Sequence, residues 1–200
     1  MISRVSSPKL RSILQQAAKL IYLKGYEGTS MQDIADACGM TKAGLYHHIA
    51  TKEAMLLSIM HFGMDLFEEH VLDPVQHITD PLARLKATMA RNVELVTNDT
   101  TKEVTIILHE HSTLTGDAQK AINARKKVYV RFLETAFEQA MTSGQIRQVN
   151  ATLAAFSFLG TVLWMYKWYR SDGALTPQQL ADGIGDLFFK GLEPSPGSRL

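Results

Sequence analysis

Two hundred residues, 46% of them hydrophobic, suffice for one or two compact domains with a real core. The lone Cys38 excludes a disulfide framework; no apolar run reaches membrane-spanning length and no basic-then-apolar leader opens the chain, so a reducing cytoplasm is the expected compartment. Net charge is only +1, but residues 1–50 hold six Lys and Arg against three Asp and Glu while the remainder is net acidic, so positive charge gathers where phosphates would be met.

Residues 1–7 read as an arm. Pro8 opens a first helix in which Leu10, Ile13, Leu14, Ala17, Ala18 and Ile21 recur at helical spacing, and Gly25 ends it. Ser30 followed three positions later by Asp33 starts a second, short helix whose apolar face is Ile34, Ala35 and Cys38. Gly39 then stands where a left-handed residue is cheap only for Gly or Asn. Thr41 caps a third helix, Lys42 to about His48. Two short helices joined this tightly fit a helix-turn-helix, whose second helix enters the DNA major groove by its N-terminal residues. Thr41 offers a hydroxyl to a phosphate and Lys42 a mobile cation. Ala43 and Gly44 permit close approach, Tyr46 and His47 can bond phosphate or base, and Leu45 turns inward. An ordinary pair of surface helices would carry the same spacing.

Thr51 caps a fourth helix that runs to about Leu72, with Lys52 at its start beside the third. Met55, Leu56, Ile59, Met60, Gly63, Leu66 and Phe67 form its stripe, and Phe62 and Met64 widen it. So broad an apolar arc needs cover on more than one side, and the helix reads as a lever. The domain boundary falls inside it, near Ser58, with the head taken as residues 1–52 and the body as 53–200.

Asp73-Pro74 breaks this helix, and Asp80-Pro81 gives an N-cap and an N1 proline to a fifth, with Leu82, Leu85, Met89 and Val93, to about Thr97. Thr100 and Glu103 open a sixth with Val104, Ile107 and Leu108. After Thr115-Gly116-Asp117 a long seventh runs to Ser143. Asn150 caps an eighth, containing FSFLGTVLWMYKWYR and stopped by Asp172-Gly173. Thr176-Pro177-Gln178-Gln179 opens a ninth. Glu193 to Leu200, with Pro194, Pro196 and Gly197, reads as a frayed tail. No segment alternates with period two, so the expected fold is all-α with about nine helices.

His109-Glu110-His111 invites a metal reading, but residues two apart on a helix point to nearly opposite sides and cannot chelate together. No metal or cofactor is expected. Phe62, Met89, Val93, Ile107, Leu108, Tyr129, Phe132 and Trp164 have apolar bodies that could line a cavity, and His109, His111 and Arg125 could orient a ligand. A filled core is the alternative. Lys126, Lys127 and Arg131 are the cations a phosphate-bearing ligand could meet, with an ordinary solvated helix face as the other reading of them. Phe156, Leu159, Gly160 and Leu163 share a face of the eighth helix, and Ile184, Leu187 and Phe188 lie on the ninth. Paired with their symmetry mates, these two helices could form a four-helix interface.

The stretch GYEGTSMQDIADACGMTKAGLYHHIATKEAMLLSI resembles the N-terminal signature of the TetR family of transcriptional repressors. The matches are Gly25, Tyr26, Thr29, Ser30, Ile34, Ala35, Gly39, Met40, Thr41, Lys42, Leu45, Tyr46, His47, Lys52 and Glu53. Ile49 stands where the family usually has Phe, and it keeps an apolar plug. The resemblance implies a three-helix DNA-binding head and a larger helical body for ligand binding and dimerisation. It implies a homodimeric repressor, not an enzyme, that binds double-stranded operator DNA and is released by a small hydrophobic ligand. Operator contacts are then expected from Thr29, Ser30, Thr41, Lys42, Ala43, Gly44, Tyr46, His47 and Lys52.

LWMYKWYRSDGALTPQQLADGIGDLFFKGL further resembles a TetR subgroup that regulates lipid and steroid catabolism, several of whose members are released by acyl-CoA thioesters. Trp164, Trp168, Tyr169, Arg170 and Gly173 carry this resemblance, with Ser171-Asp172 in place of the usual proline. The expected effector is an acyl-CoA or an aromatic compound. A helical-bundle enzyme would need a convergent acid, base or nucleophile, and none is visible in the sequence. A protein-interaction module would leave the basic head unexplained.

Overall fold

A computed structural model describes residues 7–98, 102–110 and 112–193. Among the described residues there are nine principal helices and no strand. They are α1 Pro8–Lys24, α2 Met31–Ala37, α3 Lys42–His48, α4 Lys52–Phe67, α5 Pro81–Thr97, α6 Lys102–His109, α7 Gly116–Thr142, α8 Ala151–Leu163 and α9 Pro177–Lys190. No helix among them is long and apolar enough to cross a membrane.

The starts follow from side-chain caps. Ser30, Thr41, Asp80, Asn150 and Thr176 each accept a backbone N–H from the first turn of the helix they precede. Ser30 with Asp33, and Thr176 with Gln179, close full capping boxes. Gly39 takes φ 62° between α2 and α3, a conformation that a side chain would strain.

Two expected boundaries move. α4 ends at Phe67, and a π-type turn, Glu68–Leu72, carries the chain on toward Pro74. α8 ends at Leu163, before its aromatic run, and a separate turn Met165–Trp168 follows. At that break Met165 is fully buried and Trp164 is 61% exposed. The expected start of α6 at Thr100, the arm before Ser7 and the tail after Glu193 lie outside the described residues.

The chain packs as two compact units. The first comprises residues 7–67 together with the described part of 100–125. Its core joins Ile13, Leu14 and Ile21 of α1, Ile34 of α2, Leu45 of α3, Met55, Leu56, Ile59 and Met60 of α4, and Ile106 of α6. The broad stripe of α4 is thus covered by α1 and by α6. Packing therefore extends this unit well past residue 52, because α4 cannot bury so wide an arc against the head alone.

The second unit comprises residues 68–98 and 126–193. α5 packs against α8 and α9. Leu85, Val93, Leu133, Phe137, Phe158 and Val162 form its interior, and Phe137, Phe158 and Phe188 meet pairwise with ring centroids 5.8–6.3 Å apart.

Candidate nucleic-acid interface and effector site

α2 and α3 are held by their apolar sides. Ile34, Ala35 and Leu45 are fully buried, and Ile49 is 6% exposed, filling the plug position. The opposite side of α3 faces solvent. Lys42, Ala43, Tyr46 and His47 are exposed together, so the start of α3 presents a cation, a small residue, a phenol and an imidazole. Thr41 is also exposed; its hydroxyl oxygen accepts from Gly44 N–H at 3.0 Å and fixes the first turn. A Cβ on Gly44 would stand 3.2 Å from that oxygen, so the glycine keeps the turn tight.

Ser30 is exposed, and its oxygen accepts from Asp33 N–H at 3.1 Å. Hydrogen bonds from the Ser30 hydroxyl, then from its backbone N–H, then from Lys24 hold the Asp33 carboxyl down at about 2. Thr29 is a correction to the sequence reading. It is 1% exposed, and its hydroxyl donates to Gly25 O at 2.9 Å, so its side chain locks the α1–α2 corner and offers DNA nothing. Lys52 is half-buried, with Nζ 4.2 Å from the centroid of the Tyr26 ring. Tyr26 N–H in turn donates to Glu110 Oε1 at 3.3 Å, a tie that sequence spacing does not show.

The expected effector residues divide between the units. Phe62, Ile107, Leu108 and Arg125 belong to the first, and Met89, Val93, Tyr129, Phe132 and Trp164 to the second. His111 lies outside the described residues. Arg125 is not aimed at a ligand: Nη2 donates to Asp65 at 2.8 Å and Nη1 to His61 O at 3.0 Å. Burial, then the Arg125 charge, pushes the His61 imidazole below its usual range. Trp164, at 61% exposed, lines no interior cavity. His109 is exposed and sits edge-on to Tyr22, 6.2 Å between centroids. Of the expected cations, Lys127 is exposed, Arg131 pairs with Glu134 at 3.5 Å, and burial lowers the Lys126 ammonium.

In the second unit Tyr129 stacks on Phe132 at 6.3 Å, and its hydroxyl meets Asn92 Nδ2 at 2.8 Å. Asn92 and Thr88, both 0% exposed, interrupt the Leu85, Met89, Val93 stripe of α5. That interruption is the sequence signal for a polar interior site, and the stripe alone hides it. A separate groove of about 430 Å³ opens between α5 and α9, lined by Leu82, Lys86, Ala90, Ala181 and Phe189 among others. None of the expected effector residues lines it. Among the described residues no three His, Cys, Asp or Glu gather to hold a metal ion.

The expected pairing face is partly free. Phe156 is 56% and Leu187 81% exposed, Gly160 is exposed with open space where a Cβ would stand, and Leu163 and Ile184 are half-buried. Leu159, at 9%, is spent inside its own chain, and Phe188 is engaged with Phe137 and Phe158. Leu153, Trp164 and Trp168 add exposed apolar area that the expected set lacks.

Residues 13–59 match the family model for bacterial regulatory proteins of the tetR family, and residues 79–192 match the tetracyclin repressor-like C-terminal domain. The HTH-type transcriptional repressor KstR2 of Rhodococcus jostii (strain RHA1) is 30% identical over 197 residues, 93% of this chain and 92% of that protein. The crystal structure of AibR in complex with isovaleryl coenzyme A and operator DNA is 60% identical, with TM-score 0.87, covering 90% of this chain and 97% of that one. Apo AibR is 57% identical, with TM-score 0.84, covering 92% and 98%.

Proposed function

The chain belongs to the TetR family of bacterial regulators, and from that premise we propose that it is a homodimeric, cytoplasmic transcriptional repressor released from operator DNA by an acyl-CoA. We assign operator binding to residues 1–52 and effector binding and dimerisation to 53–200. The observation that carries the reading is the solvent-facing start of α3, where Lys42, Ala43, Tyr46 and His47 stand together on a firmly buried helix-turn-helix. Such a helix reads base edges from its N-terminal end, and dimeric readers place two of them about one DNA turn, roughly 34–36 Å, apart. The exposed apolar strip of α8 and α9 supports an isologous dimer, since monomeric proteins rarely leave such patches bare.

The choice of effector rests on the likeness to AibR, whose complex holds isovaleryl coenzyme A. Release needs a ligand that favours the non-binding conformation; a tenfold loss of DNA affinity corresponds to about 1.4 kcal/mol of coupling. The test is binding of the full-length protein to fragments of its own upstream DNA, titrated with acyl-CoAs, free fatty acids and uncharged aromatic compounds. Release by an aromatic but by no acyl-CoA would sink the effector assignment and leave the repressor reading intact.

A further inference from the structure

α5 carries Arg84, Thr88 and Asn92 one turn apart on one face. Asn92 Nδ2 donates to Thr88 O at 2.7 Å and to the Tyr129 hydroxyl at 2.8 Å. Both amide protons are then used, and Oδ1 is buried with no partner among the described residues. Two turns earlier Arg84 Nη2 donates to Gln139 Oε1, while Nε is buried with no partner among the described residues. Tyr129 and Gln139 both lie on α7, in reversed order, so α5 and α7 run antiparallel along one polar seam. Thr88 sits between the two ends, and its hydroxyl donates to Arg84 O at 2.8 Å, leaving oxygen lone pairs to spare.

Buried polar atoms in native proteins nearly always have partners, so two orphans on one seam ask for a ligand. They ask for different things. Oδ1 of Asn92 needs an N–H or O–H donor; Nε–H of Arg84 needs an acceptor, best an anion. Eight residues of helix, ~12 Å, separate them. A fatty acid has an anion but no N–H, and a simple aromatic has neither. A coenzyme A thioester has amide N–H groups along its pantetheine arm and phosphates beyond them.

We propose that the α5–α7 seam holds a coenzyme A thioester, with a pantetheine amide N–H on Asn92 Oδ1 and a phosphate on Arg84. The acyl group lies at the Asn92 end, beside the stacked Tyr129 and Phe132. This rests on the reading of the chain as an acyl-CoA-released repressor, and it moves phosphate recognition from Lys126, Lys127 and Arg131 to Arg84. Thr88 and Asn92 are 0% exposed, so the thioester reaches them only when α5 and α7 part. It therefore binds the opened conformation in preference to the closed one, and that difference in affinity is what drives release.

The test is calorimetric titration of the full-length protein with isovaleryl-CoA and with isovaleryl-pantetheine, which lacks the phosphates. Asn92→Leu should weaken both about tenfold, the loss of one well-made buried hydrogen bond. Arg84→Gln should weaken isovaleryl-CoA about tenfold and leave isovaleryl-pantetheine unchanged. Unliganded operator affinity within twofold of wild type certifies each fold. Because Arg84 is half-exposed, its variant tests the seam even if Asn92→Leu fails to fold. If Arg84→Gln binds isovaleryl-CoA as tightly as wild type, the seam assignment is wrong while the effector reading stands. If wild type neither binds isovaleryl-CoA nor releases DNA to it, the effector reading itself fails and the seam falls with it.

Discussion

Gly63 and Glu103 meet so closely that a Cβ on Gly63 would stand 2.6 Å from the Glu103 carbonyl oxygen. α4 and α6 therefore touch backbone to backbone, and the fit has no slack because the obstructing atom is not a flexible side-chain tip. Gly63→Ala should destabilise the protein by about 1–3 kcal/mol, the usual cost of forcing atoms into a packed contact. Urea denaturation would measure it. An alanine tolerated without loss would mean that α4 and α6 slide past each other readily.

Glu103 makes a second prediction, on pH. It is 1% exposed, its Oε2 has no partner among the described residues, and burial pushes its carboxyl up. A group whose folded value is raised stabilises fully below its unfolded value, near 4.3, and loses that contribution as pH rises through the folded value. Glu103→Gln removes the loss. The variant should match wild type at low pH and exceed it by roughly 1–3 kcal/mol at pH 8, the cost of an unmet buried group. His61 titrates in the opposite sense. Its folded value is depressed by burial, so its contribution is present above about 6.5 and fades as pH falls. It cancels in the difference between variant and wild type. A stability gap independent of pH would contradict the assignment.

Third, the dimer should depend on exposed residues and not on those already spent inside the chain. Phe156→Arg with Leu187→Arg should yield folded monomers with native helix content that lose most operator affinity. Leu159→Arg should instead unfold the second unit, because Leu159 is 9% exposed. Sedimentation velocity with circular dichroism separates the outcomes. A double variant that stays dimeric places the interface elsewhere.

Fourth, the cations of the head should act differently. Lys42 is exposed, so Lys42→Ala should lower the salt slope of operator binding by roughly one without changing stability. Lys52 rests on Tyr26, so Lys52→Ala should lower the slope and also cost about 0.5–1 kcal/mol of stability. Thr29→Val should leave the slope unchanged, since its hydroxyl is committed to Gly25 O. A slope change at Thr29 would contradict its placement.

How far the sequence could be read depended on whether the cause was local. Ser30, Thr41, Asp80, Asn150 and Thr176 cap through neighbours in sequence, and Gly39 turns by its own backbone freedom, so helix starts and the helix-turn-helix were legible. The end of α8 was not. VLWMYKWYR contains no Gly or Pro, so nothing local marks the turn at Trp164. Arg125 looked like a ligand anchor because Asp65, its partner, lies sixty residues away. Thr29 matches a family motif, yet its role there is to lock a corner. Asn92 hid inside a helical stripe whose apolar members drew attention to themselves.

In the proposed mechanism the exposed start of α3 binds operator DNA and an acyl-CoA undoes this. Fluorescence anisotropy of a labelled fragment of the protein's own upstream DNA, titrated with isovaleryl-CoA at fixed salt, tests both halves at once. The wild-type dimer should bind tightly and salt-dependently, Lys42→Ala with Tyr46→Ala should lose that binding, and isovaleryl-CoA should weaken it at least tenfold, equivalent to about 1.4 kcal/mol of coupling. Operator affinity unchanged by the double substitution would contradict the first half, and wild-type affinity unchanged by the thioester would contradict the second.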